Sequence, residues 1–163
     1  MGIVPVKVKA VIDNGEYFLM IRTIRGGRRW SFVGGTLIPS YSEEETLKLK
    51  MEEDINTVLP IRGTIRTMCF SELGHCHISL YSCRMPRGFI PDLGVDTVES
   101  RVFSRRELLS SRASMSSLTW LTIKHMDNIR YLSSVAEIPE KFENYGSLIG
   151  KPYLNGVSCK LAI

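Results

Sequence analysis

Nowhere do the 163 residues hold the ~18 consecutive apolar residues that a membrane-spanning helix requires, so a membrane is not an expected partner. The opening stretch, MGIVPVKVKAVID, lacks the basic-then-apolar layout of a secretion signal. Val6 stands where a myristoylation start carries Ser or Thr, which argues against a lipid anchor. The expectation is an intracellular, cytoplasmic protein. Cysteine is sparse, and Cys69, Cys76, Cys83 and Cys159 include no Cys-x2-Cys pair. Neither a zinc site nor a disulfide framework is indicated, and reduced thiols fit. His75 and His77 flank Cys76, but strand alternation sends both histidines to one face and the cysteine to the other. That predicts buried cysteine and surface histidine. Internal repeats and low-complexity tracts are missing as well.

What is present suits one domain with a real core, for which 44% hydrophobic and 23% charged residues are ordinary values. The net charge of +4 leans only mildly toward an anionic partner.

The chain is organised around residues 30–61, WSFVGGTLIPSYSEEETLKLKMEEDINTVLPI. This stretch predicts a strand end, a Gly34-Gly35 turn, a loop, and a helix opened by the Ser42/Glu45 capping box. Leu47, Met51, Ile55 and Val58 recur at helical spacing and predict a single buried face, with Pro60 as the stop. Lys50, Glu53 and Asp54 share a side of that helix. Asp54 falls at the edge of the apolar face, while Glu53 points outward. Glu43, Glu44 and Glu45 favour the helix N-terminus through its dipole.

Before this stretch, residues 4–12 alternate as a strand, Asn14-Gly15 signals a hairpin, and residues 16–22 return. Arg22, Arg25, Arg28 and Arg29 then fall within eight residues around Gly26-Gly27. They form either a solvated loop or a clamp for phosphate, whose oxygens match arginine forks. After the helix, strands are expected over 61–70, 77–85 and 98–103, then a capping box at Ser104/Glu107 and a linker-like 110–117. A helix from Leu118 through Leu132 closes the domain and covers a sheet face. Residues 134–163 mix Gly and Pro with aromatic and aliphatic residues and show no period, so this tail is expected to pack on the domain or on a partner. The division is 1–133 for the domain and 134–163 for the tail.

This order of elements resembles the Nudix hydrolase superfamily over residues 4–132. The family signature is Gly-x5-Glu-x7-Arg-Glu-U-x-Glu-Glu-x-Gly-U, with U apolar. Laid from Gly35, the chain offers Tyr41 for the first Glu, Leu49 for Arg and Lys50 for the next Glu. It continues with Met51 for U, Glu53 and Asp54 for the acidic pair, Asn56 for Gly and Thr57 for the last U. The segment Glu99–Leu108 is similar to the family's strand-then-helix stretch. Arg22-Thr23 and Leu59-Pro60-Ile61 are similar to the GDP-mannose mannosyl hydrolase subgroup, whose downstream Glu-x-His is absent near Val95–Thr97. The resemblance implies an α/β fold, an α/β/α sandwich around a central mixed sheet. It also implies Mg²⁺ or Mn²⁺ as the cofactor of an active member. Gly35, Glu53 and Asp54 would be the metal ligands, and Glu53 and Asp54 the catalytic carboxylates.

Lys50 opposes that chemistry. It sets a fixed cation where the family has its principal carboxylate, and an i, i+4 pair with Asp54 would compete with a metal. An ammonium also binds phosphate as a point charge. The expected function is a binding module of weak or no activity, with Arg22, Arg25, Arg28, Arg29 and Lys50 holding nucleotide or RNA phosphates. A ribonucleoprotein or other protein assembly could engage the tail. The alternative is a Mg-dependent hydrolase of a nucleoside diphosphate derivative such as a GDP-sugar. Asp96 and Glu99 are read as solvated strand-end acids or as a distant metal ligand.

Overall fold

The computed structural model describes residues 5–70 and 76–127. Strand β1 (Val6–Asp13) turns at Asn14-Gly15 into β2 (Tyr17–Thr23), with Gly15 at φ 96° as the tight turn requires. Two short strands follow, β3 (Trp30–Ser31) and β4 (Val33–Thr36), and then helix α1 (Glu43–Ile55). Strands β5 (Ile61–Phe70), β6 (Cys76–Arg84) and β7 (Thr97–Ser104) precede α2 (Arg105–Ser110), a 3-10 turn (Arg112–Ser114) and α3 (Ser117–Asp127). The sheet is mixed: β1 runs parallel to β6, and the other pairings are antiparallel.

Two apolar layers sandwich this sheet. On one face Val8, Ala10, Ile12 and Val33 meet Leu47, Met51 and Ile55 of α1. On the other, Val11, Phe18, Trp30, Phe32 and Phe103 meet Leu108 of α2 and Ile123 of α3. Each fully buried large aliphatic side chain contributes roughly 1.5–3 kcal/mol, so these layers hold the helices to the sheet. The expected α/β/α sandwich is the observed architecture.

Helix α1 begins as its capping box dictates: the Glu45 amide donates to Ser42 Oγ at 3.2 Å, and the Ser42 amide to Glu45 Oε2 at 2.8 Å. Removing that reciprocal pair with Ser42→Ala is expected to lower the unfolding free energy by about 1 kcal/mol, read by urea denaturation. The helix ends at Ile55, earlier than Pro60. Asn56 takes the left-handed conformation at φ 48° and its amide donates to Glu52 O at 3.0 Å, which closes the helix by a local cap. Val58, expected on the buried face, therefore lies beyond the helix and is exposed.

A second expectation also fails. His77 is buried, because β6 lies between β1 and β5 with both its faces covered. Burial lowers its pKa, against an opposing pull from Glu43. Cys76 and Cys83 are buried as anticipated. Glu43 does more than favour the helix dipole: it accepts from Ser79 Oγ at 2.9 Å and Tyr81 Oη at 2.7 Å, tying the start of α1 to β6. The tail, His75, Ile129 and Leu132 lie outside the described residues.

One feature of the sheet positions the site. β2 pairs with β1 only at the hairpin end, Asp13 opposite Phe18. Further along, β4 takes over the same edge, with Lys7 opposite Thr36 and Lys9 opposite Gly34. The handover splits the sheet. Gly34 permits it, since an added Cβ would collide with Val8 O.

Candidate functional site

The split opens a cavity of about 350 Å³, walled by β1, β4 and α1 and by the loop after β2. Lys7, Lys9, Arg25 and Lys50 line it, and among the described residues Asp54 is its only carboxylate. Lys7 and Lys9 share a strand face by the two-residue period of β1. Lys7 Nζ donates to Thr36 Oγ1 at 2.6 Å, and Lys9 Nζ to Phe32 O at 3.3 Å. Burial pushes the Lys9 amine down to about 8; Lys7 and Arg25 add to the fall, and Asp54 opposes it.

Asp54, which the helix period sets at the edge of the apolar face, is fully buried. Both its oxygens are engaged. Arg25 Nη2 donates to Oδ1 at 2.6 Å, and the Gly34 amide donates to Oδ2 at 3.3 Å. The backbone of the same residue is held too: its carbonyl accepts from the Gly94 amide at 3.0 Å and from Thr97 Oγ1 at 2.8 Å. Gly94 makes that approach possible, because a Cβ there would overlap Glu53 O. The segment that crosses the helix end also delivers Asp96, whose Oδ2 lies 3.2 Å from Arg25 Nη1. Arg25 is thus gripped between two carboxylates from distant parts of the chain.

This corrects the expected Lys50–Asp54 pairing. Lys50 turns instead to Glu53, with Nζ 2.7 Å from Oε2, since Arg25 already occupies Asp54. Its aliphatic stem crosses Gly35, where an added Cβ would stand 3.1 Å from Lys50 Cδ and Cε. Glu53 points outward, half-exposed.

The arginines expected to act together are dispersed. Arg22 pairs with Glu99 at 3.2 Å and lies 4.3 Å from the Trp30 ring centroid. Arg28 sits in the exposed turn, its backbone at φ 58° and its amide donating to Thr23 O at 2.9 Å. Arg29 Nη1 donates to Met115 O at 3.3 Å and lines a separate cavity with Arg112 and Trp120. Arg25 and Lys50 alone among the predicted phosphate contacts reach the cavity that holds Asp54. Lys7 and Lys9 were missed. Their alternation with apolar residues reads as a solvent face, and the available signal was their adjacency, through a β-pairing, to the Gly34-Gly35 turn.

No protein-family model and no curated protein matches the sequence. Solved structures do. A NUDIX hydrolase from Nitrosomonas europaea superposes with a TM-score of 0.62 at 18% identity, covering 77% of this chain and 90% of that one. The chain has the Nudix fold. A MutT protein from Methanosarcina mazei Go1 gives 0.61 at 19% identity, over 77% and 94% of the two chains. An Ap4A hydrolase of C. elegans, in a binary complex, gives 0.61 at 12% identity, over 77% and 96%.

A divalent ion of the kind the Nudix resemblance implies fits these residues poorly. Hard cations require several oxygen ligands. Among the described residues no three His, Cys, Asp or Glu side chains cluster to hold a metal. Asp54 spends both oxygens on Arg25 and Gly34, Glu53 is paired to Lys50, and the Lys50 stem covers Gly35. What the arrangement can do is bind an anion: charge-assisted contacts to phosphate are worth roughly 1.5–3 kcal/mol each, more than neutral ones.

Proposed function

We propose that this Nudix-fold chain binds a phosphate-bearing ligand, a nucleoside diphosphate in class, in the cavity of the split sheet, without a divalent ion and without hydrolysing it. One observation carries the reading: the carboxylate best placed for a metal is sealed by Arg25 and the Gly34 amide, while Lys7, Lys9 and Lys50 line the same cavity. A tethered guanidinium stands where the metal would, so positive charge is built into the protein. The Nudix neighbour described as an Ap4A hydrolase supports a nucleotide as the ligand class. RNA is the larger form of the same chemistry, with Arg28 exposed in the turn after β2 to meet a further phosphate.

The test has two arms. Calorimetry with ADP or GDP in the presence of EDTA is expected to give saturable binding of one equivalent, weakening as salt rises. A panel of nucleoside diphosphate derivatives with Mg²⁺ or Mn²⁺, GDP-sugars included, is expected to give no turnover. Turnover that depends on the metal and disappears in Asp54→Asn would establish the hydrolase instead.

A further inference from the structure

The cations of the cavity are not equivalent. Lys50 and Arg25 are paired with carboxylates, and Lys7 donates to the Thr36 hydroxyl. Lys9 has a neutral acceptor, the Phe32 carbonyl, and among the described residues no carboxylate forms an ion pair with it. Its stem is fixed by the β1–β4 pairing, where a Cβ on Gly34 would stand 3.1 Å from Lys9 Cδ. The groups that face it are Lys7 on its own strand, Arg25 from the loop after β2, Lys50 and Asp54 from α1, and Cys76 at the start of β6. A part-buried amine among cations, with a peptide oxygen as its acceptor, is a setting that raises the share of lysine in the neutral, nucleophilic form. The drop from 10.5 to about 8 raises the neutral fraction at pH 7 by roughly two orders of magnitude.

We propose that the cavity takes a phosphorylated aldehyde or ketone and that Lys9 condenses with its carbonyl to form a Schiff base. The proposal rests on the anion-binding reading, because Lys7, Lys50 and Arg25 are to hold the phosphate while the carbonyl reaches Lys9. In the condensation the Nζ lone pair attacks the carbonyl carbon and the C=O pair moves to oxygen. Both amine hydrogens then leave with that oxygen as water, and the C=N bond remains. No oxidant or reductant enters. A cavity of about 350 Å³ admits a small phosphate ester of this kind.

Pyridoxal 5′-phosphate is a suitable probe, trapped with borohydride and located by peptide mass mapping, with unphosphorylated pyridoxal as control. The expected result is one adduct, on Lys9. It forms faster with pyridoxal 5′-phosphate than with pyridoxal, is slowed by inorganic phosphate, and gains rate with pH to a midpoint near 8. Lys9→Met should lose the adduct. Phosphate protection in the unaltered protein gives the same information if that variant does not fold. Binding of inorganic phosphate with no adduct on Lys9 would overturn the proposal and leave the anion site standing. Equal labelling of Lys9 by both aldehydes, unprotected by phosphate, would overturn it through failure of the anion site itself. Adducts scattered over exposed lysines such as Lys48 would also refute it.

Discussion

Lys50→Glu is expected to weaken the affinity for a nucleoside diphosphate about a hundredfold. The change removes one charge-assisted contact and adds a like charge to the cavity. Together these are worth roughly 3 kcal/mol, at 1.4 kcal/mol per factor of ten. Calorimetry under chelating conditions reads the loss directly. Lys50→Met removes the contact without the repulsion, so its loss should be the smaller of the two. The glutamate also restores a carboxylate where the Nudix signature has one. It does not restore the rest: Asp54 stays sealed by Arg25, and metal-dependent turnover is not expected from this change alone. An affinity unaffected by Lys50→Glu would remove the helix from the site.

Arg25→Ala is expected to lower the unfolding free energy by about 2–3 kcal/mol. Truncating one partner of a buried pair costs roughly 3–5 kcal/mol because it strands the other charge. The Arg25 side chain is 42% exposed, which places the loss toward the low end. Asp54→Asn should cost less, since Arg25 keeps Asp96 and the carboxamide oxygen of that variant still accepts from the Gly34 amide. A double-mutant cycle then yields the coupling between Arg25 and Asp54. Arg25→Ala has a second signature. With the guanidinium gone, the buried carboxylate opens to the cavity, and Mg²⁺ or Mn²⁺ should stabilise Arg25→Ala while leaving the unaltered protein unchanged in thermal melts. Equal stabilisation of both would mean that Arg25 does not exclude the metal.

Much of the fold was legible because its signals are local. The Asn14-Gly15 turn, both capping boxes and the Leu47/Met51/Ile55 face each specify structure within a few residues, and each formed as the pattern predicts. Asp54 was legible too, because helix geometry alone sets its angle to the apolar face. The site's chemistry was not. Arg25 reaches Asp54 only because the turn at 24–29 folds back, with the Gly26 amide on Thr23 Oγ1 and positive φ at Gly27 and Arg28. Asp96 joins because Gly94 lets its segment press on the end of α1. The Lys50–Asp54 pairing, sound for an isolated helix, lost to a partner 29 residues away in sequence. Lys7 and Lys9 became cavity residues through the exchange of β2 for β4 along one edge, a long-range event with no periodic trace. His77 was misjudged for a related reason: alternation cannot reveal that a central strand is covered on both faces.

The proposed function has built-in cations take the metal's place at Asp54, and titration of Mg²⁺, and separately of Mn²⁺, into the unaltered protein by isothermal calorimetry tests this most directly. The predicted result is no saturable heat for either ion, with inorganic phosphate binding the same sample in the absence of any metal. Tight binding of one divalent ion, lost in Asp54→Asn, would contradict the account.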